Sequence, residues 1–348
     1  MSIITIVGAG QMGSAMCFPA RSNGHEVRLV GTPLDREIIE RAKVDRWHLN
    51  LKRYLPEGVK YYQIEDMRAA LMGADLLIGG VSSFGVDWFA QNVLPAIPES
   101  LPVLSITKGL VDLPDGTLIS YLEYYRRQLG GRKLSLNAIG GPCTAYELAD
   151  LDPTTVCFCG QDIALLRKLR AMLRTEYYHI TVSTDVEGLE CAVALKNAFA
   201  LGVALAVGLA EKREGQVGKL HYNSQAALFG QSVKEMRRIL KAVGAHEDNI
   251  IFGAGDLYVT IYGGRTRMIG TLLGRGMRFE EALAELHGVT LESLVIATRA
   301  ANAIRHRVER GELRAESFPL LLHCDDVINH DKPAGDIPWD AFEEDWEL

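Results

Sequence analysis

A lysine stands in the middle of an apolar run. The stretch Ala192-Val193-Ala194-Leu195-Lys196-Asn197-Ala198-Phe199-Ala200-Leu201 holds one charge and one amide. Lysines are seldom buried without cause, and desolvation drives the pKa of a buried amine down toward neutrality, where it can give and take a proton. Reduction of a ketone needs such a proton on oxygen as hydride reaches carbon. No acid lies three or four residues away on this helix, so a partner must come from elsewhere in the fold. The bland alternative is a buried stem with its ammonium reaching out to water.

A glycine loop supplies the second chemistry. Gly8-Ala9-Gly10-Gln11-Met12-Gly13 follows a short apolar strand, Ile3–Val7, and precedes a helical stretch. In that context Gly8 permits a tight turn, Gly10 lets backbone approach a pyrophosphate, and Gly13 lets helix and strand pack closely. The helix start offers N–H groups and a positive dipole end to the phosphates. A dinucleotide, NAD or NADP, is the expected ligand. An acid ending the second strand would bind the ribose 2′-hydroxyl, but the chain there reads Leu29-Val30-Gly31-Thr32-Pro33. Without the acid NADP is permitted, with Thr32 or Arg36 to contact its 2′-phosphate, and the expectation leans toward NADP.

Three other groups invite chemistry. Lys108, in Ser105-Ile106-Thr107-Lys108-Gly109, ends a predicted strand, where open parallel sheets bind ligands. The segment 253–267 holds several glycines, Arg265 and Arg267, but no GK[ST]; it reads either as an anion pocket or as a glycine-rich loop between helices with solvated arginines. Asp256 within it is a plausible partner for Lys196. The cluster His323-Cys324-Asp325-Asp326 with His330 matches no standard metal spacing, and no metal is expected.

The elements that must position these groups alternate at first. Strands are predicted at 3–7, 25–30, 75–80 and 103–106, with helices at 36–43, 66–72 and 87–96. The segments 133–139 and 154–158 extend the sheet, 165–173 is a helix and 178–183 a last strand. From about residue 187 only helical periodicity follows, at 188–212, 221–243, 279–287 and 291–310. The fold class is therefore α/β: a Rossmann-type, mostly parallel sheet over 1–186, then an all-helical domain over 187–348. The run 191–210 is apolar enough to be mistaken for a membrane span, but a central lysine is costly in lipid, and a core helix is expected. The acidic tail, 336–348, with two tryptophans, reads as an ordered surface extension.

With 348 residues the chain suits two domains. A net charge of −7 argues against a nucleic-acid partner, which needs a basic face. The six cysteines form no CxxC pair, and Cys157 and Cys159 suit one buried face of a strand. A reducing cytoplasm fits, and neither a signal peptide nor a membrane partner is expected.

Taken in order, GAGQMGSAM at 8–16, SITKG at 105–109, GGPCTAYELA at 140–149, ALKNAFALGVA at 194–204 and GAGDLYVTIYGGRTRMIGTLLGRG at 253–276 resemble the NAD(P)-dependent glycerol-3-phosphate dehydrogenase family. The resemblance implies reversible reduction of dihydroxyacetone phosphate to sn-glycerol 3-phosphate, in a homodimer formed through the helical domain. It implies that Lys196 is the general acid/base, with Lys108 and Asp256 beside it in catalysis. Lys108, Gly141, Cys143, Asn197, Asp256, Thr260, Arg265 and Thr266 would hold substrate, Arg265 taking its phosphate. Gly8, Gly10, Gln11, Met12, Gly13, Thr32, Ser82, Lys108, Ala145, Arg265 and Glu292 would lie along the cofactor. Three positions depart from the family's usual pattern: Thr266 replaces Asn, Cys143 stands where bacterial members carry Ser, and Leu291-Glu292-Ser293 replaces Val-Glu-Gly. Thr reaches less far than Asn and Cys is a weak donor, so another small hydroxy or keto compound, a polyol or ketopantoate-like acid, stays open as substrate. A redox sensor that binds the dinucleotide without turnover is the alternative outside enzymes.

Overall fold

Strands covered on both faces are largely apolar, and the first run of the chain, Ile3-Ile4-Thr5-Ile6-Val7, has that character. A computed structural model describes residues 1–218, 220–286 and 291–344. Its strands are β1 (Ile3–Val7), β2 (Glu26–Val30), β3 (Trp47–His48), β4 (Arg53–Tyr54), β5 (Val59–Tyr62), β6 (Leu76–Gly79), β7 (Val103–Ser105), β8 (Leu110–Asp112), β9 (Leu118–Ser120), β10 (Leu136–Gly140), β11 (Thr154–Cys159) and β12 (Tyr178–Ser183). Eight of them form one sheet in the order β12-β11-β10-β7-β6-β1-β2-β5. Its neighbours pair in parallel except β10 and β11, which run antiparallel. The sheet's two edges are thus β12 and β5. The chain divides into two compact units, Met1–Lys108 with Ser120–Glu190, and Gly109–Ile119 with Cys191–Leu348.

The first unit carries the sheet and helices α1 (Gln11–Ala15), α2 (Cys17–Ser22), α3 (Arg36–Asp45), α4 (Met67–Leu71), α5 (Val86–Asn92), α6 (Tyr121–Gln128), α7 (Ala145–Ala149) and α8 (Ile163–Leu173). The helical stretch after the glycine loop is broken at Met16. Pro19 has no N–H to continue the first helix, and the break puts it in the first turn of α2, where that N–H is not needed. The stretch predicted at 87–96 ends at Asn92, and a separate short turn, Leu94–Ala96, follows around Pro95. Ile4, Ile6, Leu29, Ile78, Leu104, Val156 and Phe158 fill the sheet's core. Cys157 and Cys159 are both fully buried, and all six cysteines are free thiols.

The second unit is built from α9 (Val186–Glu214), α10 (Tyr222–Ala242), α11 (Ile250–Ile261), α12 (Gly264–Gly274), α13 (Phe279–Glu285), α14 (Glu292–Glu309) and α15 (Pro319–Asn329). Residue 287, the last of the third predicted helical stretch, lies outside the described residues. The ribbon β8–β9 also belongs here up to Ile119. Arg299 on α14 donates to Leu110 O (2.6 Å), and Arg310 donates to Asp115 O (2.7 Å), which docks the ribbon on that helix. The apolar α9 passes the length and hydropathy test for a membrane span, yet 89% of that window is buried inside the protein. Leu195, Phe199, Leu201 and Leu205 on it meet Leu228, Met236, Leu257, Ile269 and Leu273 in the unit's core. Of the tail, Trp339–Phe342 forms a short turn, and Glu344 pairs with Lys234 (3.0 Å) and Arg238 of α10. Trp346 lies outside the described residues.

Candidate active site

The glycine loop shows which of its glycines the protein needs and which a ligand needs. Gly8 has φ +114°, and a Cβ there would sit 2.5 Å from Gly80 C. A Cβ on Gly13 would sit 2.1 Å from Gly8 O. Both positions are glycine because backbone packs onto them. Gly10 differs, since a Cβ there would meet nothing within 4 Å. Space is kept open in front of Gly10 although nothing in the protein fills it, as close approach of a pyrophosphate requires. The first N–H groups of α1 have no partner within the helix and face the same problem of satisfaction. The loop therefore fits a dinucleotide.

The other cofactor candidates of this unit, and its substrate candidates Lys108, Gly141 and Cys143, follow the carboxyl ends of neighbouring strands. Thr32 follows β2, Ser82 follows β6, Lys108 follows β7, and Gly141, Cys143 and Ala145 follow β10. Open parallel sheets bind ligands along this end. Lys108 Nζ donates to Gly141 O at 2.8 Å, and Gly141 itself has φ +117°. The Thr154 hydroxyl donates to Pro142 O, and Thr144 donates to Glu147, so half-buried Cys143 sits on a pinned turn. Gln11 is turned the other way, its amide donating to Asn50 O at 2.9 Å.

The missing acid needs correction. No acid ends β2, but Asp35 folds back beside that end and accepts from Thr32 N (2.8 Å), Thr32 Oγ1 (2.7 Å) and Ala9 N (3.1 Å). Thr32 is thus bonded to a carboxylate, and Arg36 is paired with Glu65 on the surface. A scan of the strand end misses Asp35 because a tight turn brings it back.

In the helical unit the buried lysine has its partner. Lys196 Nζ donates to Asp256 Oδ1 at 2.5 Å; the Asp256 side chain is 0% exposed and that of Lys196 15%. The bond spans α9 and α11, and the carboxylate compensates an ammonium that burial would otherwise penalise. Gly253 sets the spacing, because a Cβ there would lie 2.8 Å from Ala192 O. Asn197 is buried beside Lys196 in the chain, and Thr260, one turn beyond Asp256, donates to Asp256 O at 2.7 Å. The segment 253–267 is neither a loop nor a glycine-lined nest; it is the body of α11, a two-residue turn and the start of α12. Arg265 is exposed and Thr266 buried in the first turn of α12, while Arg267 turns back to Ile261 O (2.6 Å). Glu292 opens α14.

Asp325, Asp326 and His330 have ligand atoms within 4.8 Å of one another. The Arg305 guanidinium donates to two of these groups, Asp325 and, at 2.7 Å, Asp326.

A Rossmann sheet with a loop fitted to a dinucleotide, joined to a helical unit with a buried Lys–Asp pair, defines a nicotinamide-dependent dehydrogenase. Comparison with known proteins is specific. Residues 3–165 match the model of the NAD-dependent glycerol-3-phosphate dehydrogenase N-terminus, and residues 185–338 that of its C-terminus. The NADP(+)-dependent glycerol-3-phosphate dehydrogenase of Archaeoglobus fulgidus is 33% identical over 82% of this chain and 83% of its own length. The glycerol-3-phosphate dehydrogenase [NAD(P)+] of Koribacter versatilis is 29% identical over 89% of this chain and 90% of its own. The crystal structure of glycerol-3-phosphate dehydrogenase from Coxiella burnetii shares the fold, with TM-score 0.79 over 99% of both chains at 23% identity. This chain belongs to the NAD-dependent glycerol-3-phosphate dehydrogenase family.

Proposed function

We propose that the chain catalyses the reversible NAD(P)-dependent interconversion of dihydroxyacetone phosphate and sn-glycerol 3-phosphate. The observation that carries this reading is the buried Lys196–Asp256 pair, a proton donor held by a carboxylate from a second helix. When bound, the nicotinamide supplies hydride to the ketone carbon or removes it from the alcohol. Lys196 Nζ gives the ketone oxygen its proton in reduction and takes it back in oxidation. Asp256 orients Nζ and stabilises its charge. Arg265 and Thr266, at the start of α12, hold the phosphate, the guanidinium by a forked pair of hydrogen bonds. Asn197 and Thr260 bind substrate hydroxyl or carbonyl groups, and Lys108, Gly141 and Cys143 contribute from the Rossmann unit. The glycine loop, Thr32, Ser82, Ala145 and Glu292 serve the cofactor. Thr266 and Cys143 are the positions that would admit another small hydroxy or keto compound, but the relatives named above support glycerol 3-phosphate and favour neither that reading nor a sensor without turnover.

The test is oxidation of NAD(P)H with dihydroxyacetone phosphate. Lys196→Met is expected to lose roughly a hundredfold to ten-thousandfold in kcat while still binding cofactor. A folded, cofactor-binding wild type that is inactive on this substrate overturns the assignment. The same assay run with each cofactor tests NADP preference, which rests on the absence of an acid in Leu29-Val30-Gly31-Thr32-Pro33 and is opposed by the Asp35 carboxylate held at Thr32; a lower KM for NADH would reject it. We read the protein as a cytoplasmic homodimer, supported by exposed Tyr222, Ile251, Tyr258 and Tyr262 on the helical unit and by its free thiols. Light scattering should give twice the 38.3 kDa chain mass, and a monomer at micromolar concentration would exclude the dimer.

A further inference from the structure

Ala9 lies at the centre of the glycine loop, and both polar groups of its backbone are taken by side chains from distant parts of the Rossmann unit. Its N–H donates to Asp35 Oδ2 at 3.1 Å, and its carbonyl accepts from His48 Nε2 at 2.9 Å. The tautomer of His48 follows from its other nitrogen. Nδ1 faces two backbone donors, Asn50 N (3.2 Å) and Leu51 N (2.9 Å), so it must be the acceptor and the proton must sit on Nε2. His48 is fully buried, and Asn50, whose N–H it holds, accepts in turn from the Gln11 amide. None of this is local. His48 belongs to the β3–β4 ribbon and Asp35 to the start of α3.

We propose that His48 and Asp35 are positioning residues that clamp the peptides on either side of Ala9 and so preset the glycine loop for the dinucleotide. This rests on reading that loop as the cofactor site. The clamp has a physical need behind it. Gly8 and Gly10 give the loop more backbone freedom than any other residue pair would, and that freedom must be lost when a ligand binds. Hydrogen bonds to the two successive peptide groups that flank the Ala9 Cα remove it beforehand, which is preorganisation.

The arrangement works only with a neutral ring. A proton on Nδ1 would turn the acceptor of Asn50 and Leu51 into a donor facing two donors. Burial, ahead of other effects, keeps the ring's pKa below its ordinary value, against the pull of the Ala9 carbonyl and the Asp35 carboxylate. Across the ribbon His48 is in register with Arg53, whose guanidinium is held by Asp150. Acid should therefore unlock the loop by protonating His48.

The experiment is equilibrium binding of NADPH to the full-length protein by fluorescence, with NADH in parallel because it carries no 2′-phosphate to titrate. At neutral pH, His48→Ala is expected to weaken binding by about tenfold, the scale of one lost hydrogen bond with its preorganisation. His48→Gln keeps an amide donor able to reach Ala9 O and should restore most of the affinity. Asp35→Asn should weaken binding to a similar extent. On lowering pH from about 7.5 to about 5, wild-type NADH binding should fall more than that of His48→Gln. His48→Ala within twofold of wild type, Gln no better than Ala, or identical pH profiles for wild type and His48→Gln would each overturn the clamp. If His48→Ala fails to fold, the wild-type and Gln profiles decide the matter. A folded wild type that binds neither cofactor overturns the dinucleotide reading as well, whereas normal binding by the variants overturns the clamp alone.

Discussion

Lys196 is partly buried and His48 fully so, both hold a hydrogen-bond partner across the fold, and only one of them stands out in the sequence. Lys196 is visible because nine in ten of its neighbours are apolar or small, so its charge contradicts its surroundings. Its partner Asp256 is visible only as a guess, since sixty positions separate them. His48 and Asp35 sit among polar residues, where another polar residue carries no information, and their contacts with Ala9 exist only once the turns have formed. At this scale the Lys–Asp pair makes a sharp prediction. Asp256→Asn leaves an ammonium buried against a neutral amide, which costs about 3 kcal/mol when one partner of such a pair is removed. The variant should unfold several degrees below wild type in a thermal melt and lose kcat more than cofactor affinity. Unchanged thermal stability would show that the pair is solvated rather than buried.

Elements with a strong period were legible and those without were not. β1, β6 and the long α9 follow from apolar runs, and β2 from the alternation of Glu26-Val27-Arg28-Leu29. β5 escaped notice because Val-Lys-Tyr-Tyr does not read as a covered strand, and the antiparallel turn of β11 depends on where its neighbours lie. The glycines of 253–267 suggest an anion pocket or a loop, yet Gly253 is glycine because helices press together there, as they do at Gly270 and Gly274 further along α12. A Cβ on Gly274 would lie 2.2 Å from Leu205 O, and one on Gly270 would lie 2.5 Å from the Ala204 Cβ. Inside an exposed helix, glycine to alanine is worth about 1 kcal/mol of added stability. Gly274→Ala should instead destabilise, because α12 must move away from α9. Gly230, exposed on α10 with nothing within 4 Å of its would-be Cβ, is the control. Gly230→Ala should leave the melting temperature level or raise it. Equal shifts for the two would refute the packing argument.

At the scale of the whole molecule, stability should depend on two buried carboxyls. Glu190, on α9, makes no hydrogen bond of ordinary geometry through either oxygen. Burial first, then the Glu187 carboxylate, push its pKa up to about 8, against the pull of Ser120 and the Leu122 backbone. Glu235 accepts from Gln231 (2.7 Å), Leu320 N (2.8 Å) and Leu321 N (2.9 Å) at the start of α15, and burial still pushes it up to about 7. Each group binds its proton more tightly folded than unfolded. Their contribution is therefore complete below the ordinary carboxyl range and is lost as pH rises through about 7 for Glu235 and about 8 for Glu190. Denaturant midpoints should fall from about pH 5 to about pH 8, and Glu190→Gln should flatten the upper part of that decline. A variant as alkali-sensitive as wild type would place the titration elsewhere. Neither group is legible beforehand, because a glutamate on an amphipathic helix normally faces water.

The eight-stranded sheet closes on nothing, and its two open rims carry a consequence of their own. A bare rim is a template on which another chain can add a strand. Along β12 the outward positions His179 and Thr181 are exposed and polar, and along β5 the exposed Lys60 reaches over to Glu26 at 3.0 Å. A second molecule approaching either rim would have to strip water from these groups without repayment. The rims therefore discourage fibril-like stacking, and concentrated solutions of the protein should resist seeding into cross-β aggregates for as long as Lys60 and His179 remain polar.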